Sequence, residues 1–223
     1  MEEHIVKILE ADYINYNVKR FIVEKPKNYS FIPGQATMVS INLDGWRDRE
    51  APFTFTSINE WPFLQFIIKI YNDHDGITKE LGKLNSGNEL IIRDPWGTIQ
   101  YKKPGVFLAG GAGITPFIAI FRELYKEQAL SGNQLYFSNK TADDIFLYEE
   151  LTRLLGDNYH NVLTRENVVG FMENKIDRRF LIENIRNFGQ DFYVCGPPSF
   201  VHDVSEALIS LGANLETITF EKE

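Results

Sequence analysis

Residues 106–116 read V-F-L-A-G-G-A-G-I-T-P, a pattern whose chemistry comes from the backbone. Val106 to Ala109 are apolar and run into Gly110, Gly111, Ala112 and Gly113. An apolar run with helical spacing then restarts at Phe117, after Thr115 and Pro116. That order predicts a buried strand, a tight turn and a helix N-terminus. Glycines let the backbone come close to a ligand, and the free N–H groups of a helix start attract phosphate. Pro116 suits a first helical turn, where its missing N–H costs nothing. The stretch suggests a nucleotide pyrophosphate site, and it equally suits a tight strand-to-helix turn with no ligand. No Lys-Ser/Thr follows, which excludes a triphosphate P-loop, and Pro116 stands where the dinucleotide fingerprint has its third glycine.

Four other segments carry groups that chemistry can use. Ala51-Pro52-Phe53-Thr54-Phe55-Thr56-Ser57 reads as a half-buried strand bearing a hydroxyl and aromatic rings. Asp75-Gly76-Ile77-Thr78 opens a short helical pattern, either as a plain N-terminal turn or as a second anion site. Thr164-Arg165 follows a strand, as a solvated charge or as an anion ligand. Tyr193-Val194-Cys195-Gly196-Pro197-Pro198 again runs from strand to helix, with a thiol at the strand's carboxyl end. A lone cysteine there is usually a small buried hydrophobe.

The elements that must position these groups fall into two textures. Up to about Tyr101, short runs rich in Val, Ile, Phe and Thr alternate with turn residues. Strands are predicted at 5–9, 18–23, 37–43, 53–56, 64–71 and 90–93, with a helix at 77–84. Such spacing indicates an antiparallel barrel or sandwich. From Val106 the rhythm becomes strand–helix alternation. Strands are predicted at 106–109, 134–138, 161–164, 192–195 and 217–220, with helices at 115–127, 145–155, 178–186 and 199–211. That alternation indicates a parallel sheet covered by helices on both faces. Lys102-Lys103-Pro104-Gly105 marks the boundary, giving domains 1–103 and 104–223.

Composition narrows the chemistry. The 223 residues are 43% hydrophobic and 24% charged, enough for a proper core, and a soluble, cytoplasmic protein without a membrane span or apolar leader is expected. A net charge of −8 argues against nucleic acid as a partner. The single cysteine excludes internal disulfides, cysteine-ligated iron–sulfur clusters and thiolate zinc sites. No metal is expected, so redox chemistry falls to an organic cofactor.

In this order, the five segments resemble the ferredoxin–NADP reductase superfamily over nearly the whole chain. The resemblance implies an N-terminal antiparallel flavin-binding β-barrel followed by a Rossmann-like parallel α/β nucleotide-binding domain. Ala51-Pro52-Phe53-Thr54 is similar to the family's Arg-x-Tyr-Ser/Thr strand motif. By that likeness Pro52, Phe53, Thr54 and Phe55 lie along the flavin, with the Thr54 hydroxyl near its N5 atom. Ile68 and Lys69 line the ribityl and phosphate path, and Gly76, Ile77 and Thr78 hold the flavin phosphates. Gly110, Gly111, Ala112, Gly113, Thr115 and Pro116 resemble the nicotinamide-nucleotide loop, while Cys195, Gly196 and Pro197 resemble the motif beside the nicotinamide. The motif's phosphate-pairing arginine is Ala51 here. Arg49, two residues earlier, would share a strand face with it about 6.6 Å away and is expected to substitute.

The resemblance further implies hydride transfer from NADPH or NADH to FAD, with FMN also open, and then electron delivery to a flavodoxin or ferredoxin by a monomeric enzyme. NADPH is favoured. Thr164-Arg165 resembles a Ser-Arg pair that binds a 2′-phosphate, Lys175 adds charge, and Ser138 and Lys140 flank the adenosine pocket. Glu221 is the candidate acid and Phe220 a candidate lid. Lys79, Lys83, Arg93, Lys102 and Lys103 form either a partner-steering basic patch or an ordinary solvated face. Two alternatives stand. One is a flavin or small-molecule reductase without a protein partner; the other, suggested by Ala51, is a flavin-free binding module that keeps the fold.

Overall fold

Alternating burial along short strands builds the first half. In the computed structural model, which describes residues 2–73, 75–97 and 99–220, the strands are β1 (Glu3–Tyr13), β2 (Val18–Glu24), β3 (Ala36–Ile41), β4 (Ala51–Thr54), β5 (Phe63–Lys69) and β6 (Glu89–Arg93). Helix α1 (Ile77–Lys83) lies between β5 and β6. The strands form one antiparallel sheet in the order β4-β3-β6-β1-β2-β5. Its two edges meet at a Phe55–Phe66 bridge, where the Thr56 N–H donates to the Gln65 carbonyl at 2.8 Å. The sheet is thus a nearly closed barrel, which leaves little free edge. Phe21, Phe55 and Phe66 fill its interior, with Phe55 stacked on Phe31 at 4.3 Å. Each such ring contributes about 1.5–3 kcal/mol by leaving water.

The second half is a parallel sheet of β7 (Gly105–Gly110), β8 (Gln134–Asn139), β9 (Tyr159–Leu163), β10 (Met172–Glu173), β11 (Asp191–Cys195) and β12 (Ile218–Phe220). Its order is β10-β9-β8-β7-β11-β12. Helices α2 (Thr115–Lys126) and α3 (Tyr148–Leu155) cover one face, and α4 (Arg178–Asn184) and α5 (Pro198–Ser210) cover the other. β7 is buried along its whole length, as a central parallel strand must be. Phe107 and Ala109 pack toward α2, and Val106 and Leu108 toward α5. The chain builds outward from β7 to β10 and then returns to β11 on β7's other side. The topological switch point is therefore between β7 and β11, and ligands of open α/β sheets bind at the carboxyl ends there.

Three expectations shift. β4 covers Ala51–Thr54 rather than 53–56, because its pairing with β3 reaches back to Val39 opposite Ala51, and the residues from Phe55 onward leave β3 to close the barrel. α3 starts at Tyr148 rather than 145. A reciprocal cap between Thr141 and Asp144 starts a separate 3-10 turn over Ala142–Asp144, and Leu147, left-handed at φ 56°, re-aims the chain before α3. β10 is a two-residue strand too short to leave a periodic signal.

Candidate functional site

The two strand ends at the switch point touch through backbone. A β-carbon on Gly113 would stand 2.4 Å from the Cys195 carbonyl group, so only glycine lets the turn after β7 lie against the end of β11. Gly111 serves differently. Its φ is +53°, and nothing stands within 4 Å of where a side chain would begin. It is the open member of the cluster. A 3-10 turn over Gly111–Ile114 leads directly into α2, whose first turn carries Pro116. α5 starts at Pro198 beside it, so two helix N-termini flank one place.

That place is a cleft of about 690 Å³ between barrel and parallel sheet. One wall holds Pro52, Phe53, Thr54, Ile68, Lys69 and Thr78. The other holds Gly110, Gly111, Ala112, Gly113 and Thr115 with Cys195, Gly196 and Pro197, and its far end holds Ser138, Lys140 and Thr164. Segments separated by much of the sequence thus line one site. Cys195 is buried, with Ala109 as its register partner.

Some expected residues lie elsewhere. Phe55 points into the barrel core with no exposed surface and cannot lie along a ligand. Arg49 is not on a strand. Residues 42–50 form turns before β4, and its guanidinium stacks over the Trp46 ring at 4.8 Å, outside the cleft lining. Neither face-sharing nor the 6.6 Å spacing applies to it. Ile77 packs on the barrel core and Pro116 is buried in α2, so both support the site from behind. Gly76 is the extended residue that caps α1. Glu221 lies outside the described residues.

Lys69 crosses from the barrel to the sheet layer. Its Nζ lies 3.2 Å from Asp144 Oδ1, which also accepts from the Tyr16 hydroxyl at 2.7 Å. Burial would push the Asp144 carboxyl up. The Tyr16 and Lys69 hydrogen bonds, the lysine charge and the Thr141 N–H outweigh it and hold the group below the ordinary carboxylate range.

Arg165 opens a second cavity of about 530 Å³, shared with Glu166, Glu173, Lys175 and Asp177. Each of the three acids is committed: Glu166 to the Ala142 N–H at 2.7 Å, Glu173 to Asn167 Nδ2 at 2.9 Å, and Asp177 to the Phe180 N–H at 2.9 Å as the cap of α4. Among the described residues, the side chains of Arg165 and Lys175 make no ion pair.

Several lining residues escaped the sequence reading. Phe200 of α5 lies over Gly110 and Gly196. Asn139 ends β8, lines the cleft, and its buried Nδ2 has no hydrogen-bond partner among the described residues. Asp144 and Tyr71 also line it. Only the position of Asn139, one residue past Ser138 at a strand end, offered a signal. The five cations weighed as a basic patch are all engaged: Lys79 with Asp75, Lys83 with Glu80, Arg93 with Glu3 and Glu50, Lys103 with Asp191, and Lys102 with the Glu216 carbonyl.

The donor set fits an anionic dinucleotide. It offers an open glycine turn at two helix starts, an unmet amide at Asn139, and two uncommitted cations beyond Thr164. The barrel wall, which brings Phe53 and Thr54 to the cleft that the glycine turn also lines, fits a planar ring system, and Phe53 packs against the barrel core as well. Among known proteins, the oxidoreductase NAD-binding domain family matches residues 107–206. NADH-cytochrome b5 reductase 1 of Neosartorya fischeri is 27% identical, over 95% of this chain and 74% of that protein. The anthranilate 1,2-dioxygenase electron transfer component of Acinetobacter baylyi is 26% identical, over 80% of this chain and 54% of that protein. The solved structure of a ferredoxin NADP+ reductase from Neisseria gonorrhoeae with bound FAD and NADP shares the fold, with a TM-score of 0.87. It is 18% identical, and 99% of this chain and 98% of that one are covered.

Proposed function

We propose, since this chain belongs to the ferredoxin–NADP reductase superfamily of NAD(P)H-dependent flavoprotein oxidoreductases, that residues 1–103 hold FAD, that residues 104–223 bind NADPH, and that reducing equivalents leave for a flavodoxin- or ferredoxin-type protein. When bound, the flavin supplies the conversion of a hydride into single electrons. The chain supplies orientation and shielding. Thr54 offers a hydroxyl donor from the barrel wall. Gly111 and the start of α2 offer N–H groups to the pyrophosphate, and Cys195 with Gly196 forms the wall against the nicotinamide. Phe200, over Gly110 and Gly196, keeps water from behind that wall.

The observation that carries this reading is the placement of the Phe53-Thr54 wall opposite the switch-point glycine turn across one cleft. A purified protein that is yellow, and whose colour bleaches on anaerobic addition of reduced nucleotide, supports it. A colourless protein that takes up no added flavin rejects it.

The choice of NADPH rests on Arg165 and Lys175. Neither cation makes an ion pair among the described residues, so both are available to a 2′-phosphate, which a guanidinium grips bidentately, against the charge of the three carboxylates that share their cavity. Arg165→Ala is expected to raise the KM for NADPH and leave that for NADH unchanged. A wild type that prefers NADH, as the cytochrome b5 reductase relatives are named to do, rejects the assignment.

The ion pairs of Lys79, Lys83, Arg93 and Lys103 favour a second reading, a flavin or small-molecule reductase with no protein partner. Electron transfer to an acidic flavodoxin that weakens as salt rises supports the protein acceptor. Transfer that ignores salt supports the small one.

A further inference from the structure

We propose that Arg122 is the positioning residue that fixes how far the Thr54 strand stands from the glycine turn, so that hydride transfer depends on a guanidinium that lines neither wall of the cleft. The inference rests on the flavin-and-nucleotide reading above.

Arg122 lies on α2, with a side chain about one-tenth exposed. Nε and Nη2 donate to the two carboxylate oxygens of Glu150 on α3, at 2.7 and 2.8 Å. Nη1 turns the other way and donates to the Thr56 carbonyl at 2.6 Å and to Gln65 Oε1 at 2.7 Å, both on the barrel. The Trp61 ring stacks 5.1 Å from the guanidinium carbon. One planar cation therefore holds α2, α3 and the barrel together.

The places it grips are those that matter for the distance. Thr56 is two residues beyond Thr54 along the same chain segment. Its hydroxyl and N–H bond to Gln65 at 3.0 and 2.8 Å, so the pair that closes the barrel is also the pair that Arg122 grips. At the other end, α2 begins at Thr115, the residue after the glycine turn. Arg122 stands seven residues on, roughly 10 Å along a rigid helix. Donor wall and acceptor wall are thus joined through one helix, one guanidinium and one strand. Reacting atoms must approach to about 3–3.5 Å, and a misplacement near 1 Å costs about a hundredfold in rate.

The ties of Lys69 and Tyr16 to Asp144 lie elsewhere on the junction and survive the loss of Arg122, so its variants keep the two layers in contact. A lysine keeps the charge but cannot donate in three directions from one plane.

The test uses the flavin-loaded protein and the variants Arg122→Lys and Arg122→Gln, with Gln65→Met as a second route that removes the Oε1 shared by Arg122 and the Thr56 hydroxyl and leaves the Thr56 carbonyl in place. Anaerobic stopped-flow with NADPH and its C4-deuterated form reads the limiting rate of flavin bleaching. Hydrogen exchange at the Thr56 and Gln65 amides, without nucleotide, reads the junction itself. The expected result is faster exchange at those amides, nucleotide affinity unchanged, and a limiting rate about a hundredfold lower with a larger isotope effect. Equal rates and equal isotope effects in all variants overturn the inference and leave the flavin reading standing. A loss of nucleotide affinity with an unchanged limiting rate also overturns it, since it makes Arg122 merely structural. A wild type whose flavin no reduced nucleotide bleaches overturns the functional reading itself, and the inference with it.

Discussion

Gly113 and Cys195 meet with no room for a single added carbon, at a would-be distance of 2.4 Å from the cysteine's carbonyl group. That contact ties the turn after β7 to the end of β11, the two strands that flank the switch point. Gly113→Ala forces them apart and is expected to cost about 1–3 kcal/mol, as overpacking does. Gly111→Ala meets no neighbour and is expected to cost about 1–2 kcal/mol through its left-handed backbone alone. Urea unfolding gives both costs. The distinguishing readout is the Cys195 thiol, whose alkylation rate should rise in Gly113→Ala and stay constant in Gly111→Ala. A constant rate in both shows that the Gly113 contact does not shield the thiol.

Thr54 is half-buried and faces the cleft rather than the barrel core. Thr54→Val keeps its shape and removes only the hydroxyl. Stability should change by no more than about 0.5 kcal/mol, as for substitutions away from packing features. Flavin bleaching by NADPH should slow about a hundredfold, the usual scale for losing one preorganised donor. A large fall in melting temperature with full activity contradicts this placement.

Much of this was legible in sequence because it is local. The run from Val106 to Gly113 announces a buried strand and a turn, and the spacing of Phe117, Phe121 and Leu124 announces α2. Arg49 misleads because a two-residue period holds only on a strand, and the chain is still turning at that point. Phe55 misleads for a related reason: closing the barrel sends its ring inward, and closure is a property of six strands, not of one. The Arg122 contacts span 28, 57 and 66 residues, and no periodicity encodes such distances. Pairing of Lys79, Lys83, Arg93 and Lys103 is likewise set by which acids the fold brings beside them.

Asp144 should make the junction between barrel and parallel sheet acid-sensitive. Its folded carboxyl titrates below the ordinary range, so its stabilising contribution is complete above an unfolded value of about 3.9. It disappears as pH falls through the lower folded value. Asp144→Asn keeps the shape but loses the ion pair with Lys69. The variant is expected to be less stable than wild type at pH 7 by about 1–3 kcal/mol, with the gap closing toward pH 2. A gap that stays constant across pH means that the charge on Asp144 contributes nothing.

Tyr193 anchors the passage from barrel to sheet. Its hydroxyl accepts from the Lys102 and Lys103 N–H groups at 2.9 and 3.2 Å and donates to the Lys103 carbonyl at 2.8 Å. Its ring stacks on Phe107 at 4.3 Å. Tyr193→Phe retains the stack and strands those backbone groups, for an expected loss of about 1–3 kcal/mol in urea unfolding. Hydrogen exchange at Lys102 and Lys103 should quicken while the β7 amides stay protected. Unchanged exchange at both lysines contradicts the anchor.

His160 gives the last test, with its own pH window. The imidazole stacks on Tyr136 at 4.7 Å, and its Nε2 faces Gln134 Nε2 at 3.0 Å. An amide nitrogen can only donate, so the facing ring nitrogen must be the unprotonated one. Burial pushes the imidazole below its ordinary value, against the opposing pull of Asp157. The unfolded chain takes up a proton near pH 6.5 while the folded one resists. The His160 contribution is therefore complete above about 6.5 and is lost as pH falls through the folded value. His160→Phe keeps the stack and cannot titrate. Denaturant unfolding at pH 7.5 and pH 5 should show a smaller fall in stability for this variant than for wild type, and identical falls would show that the folded ring accepts a proton as freely as the unfolded one.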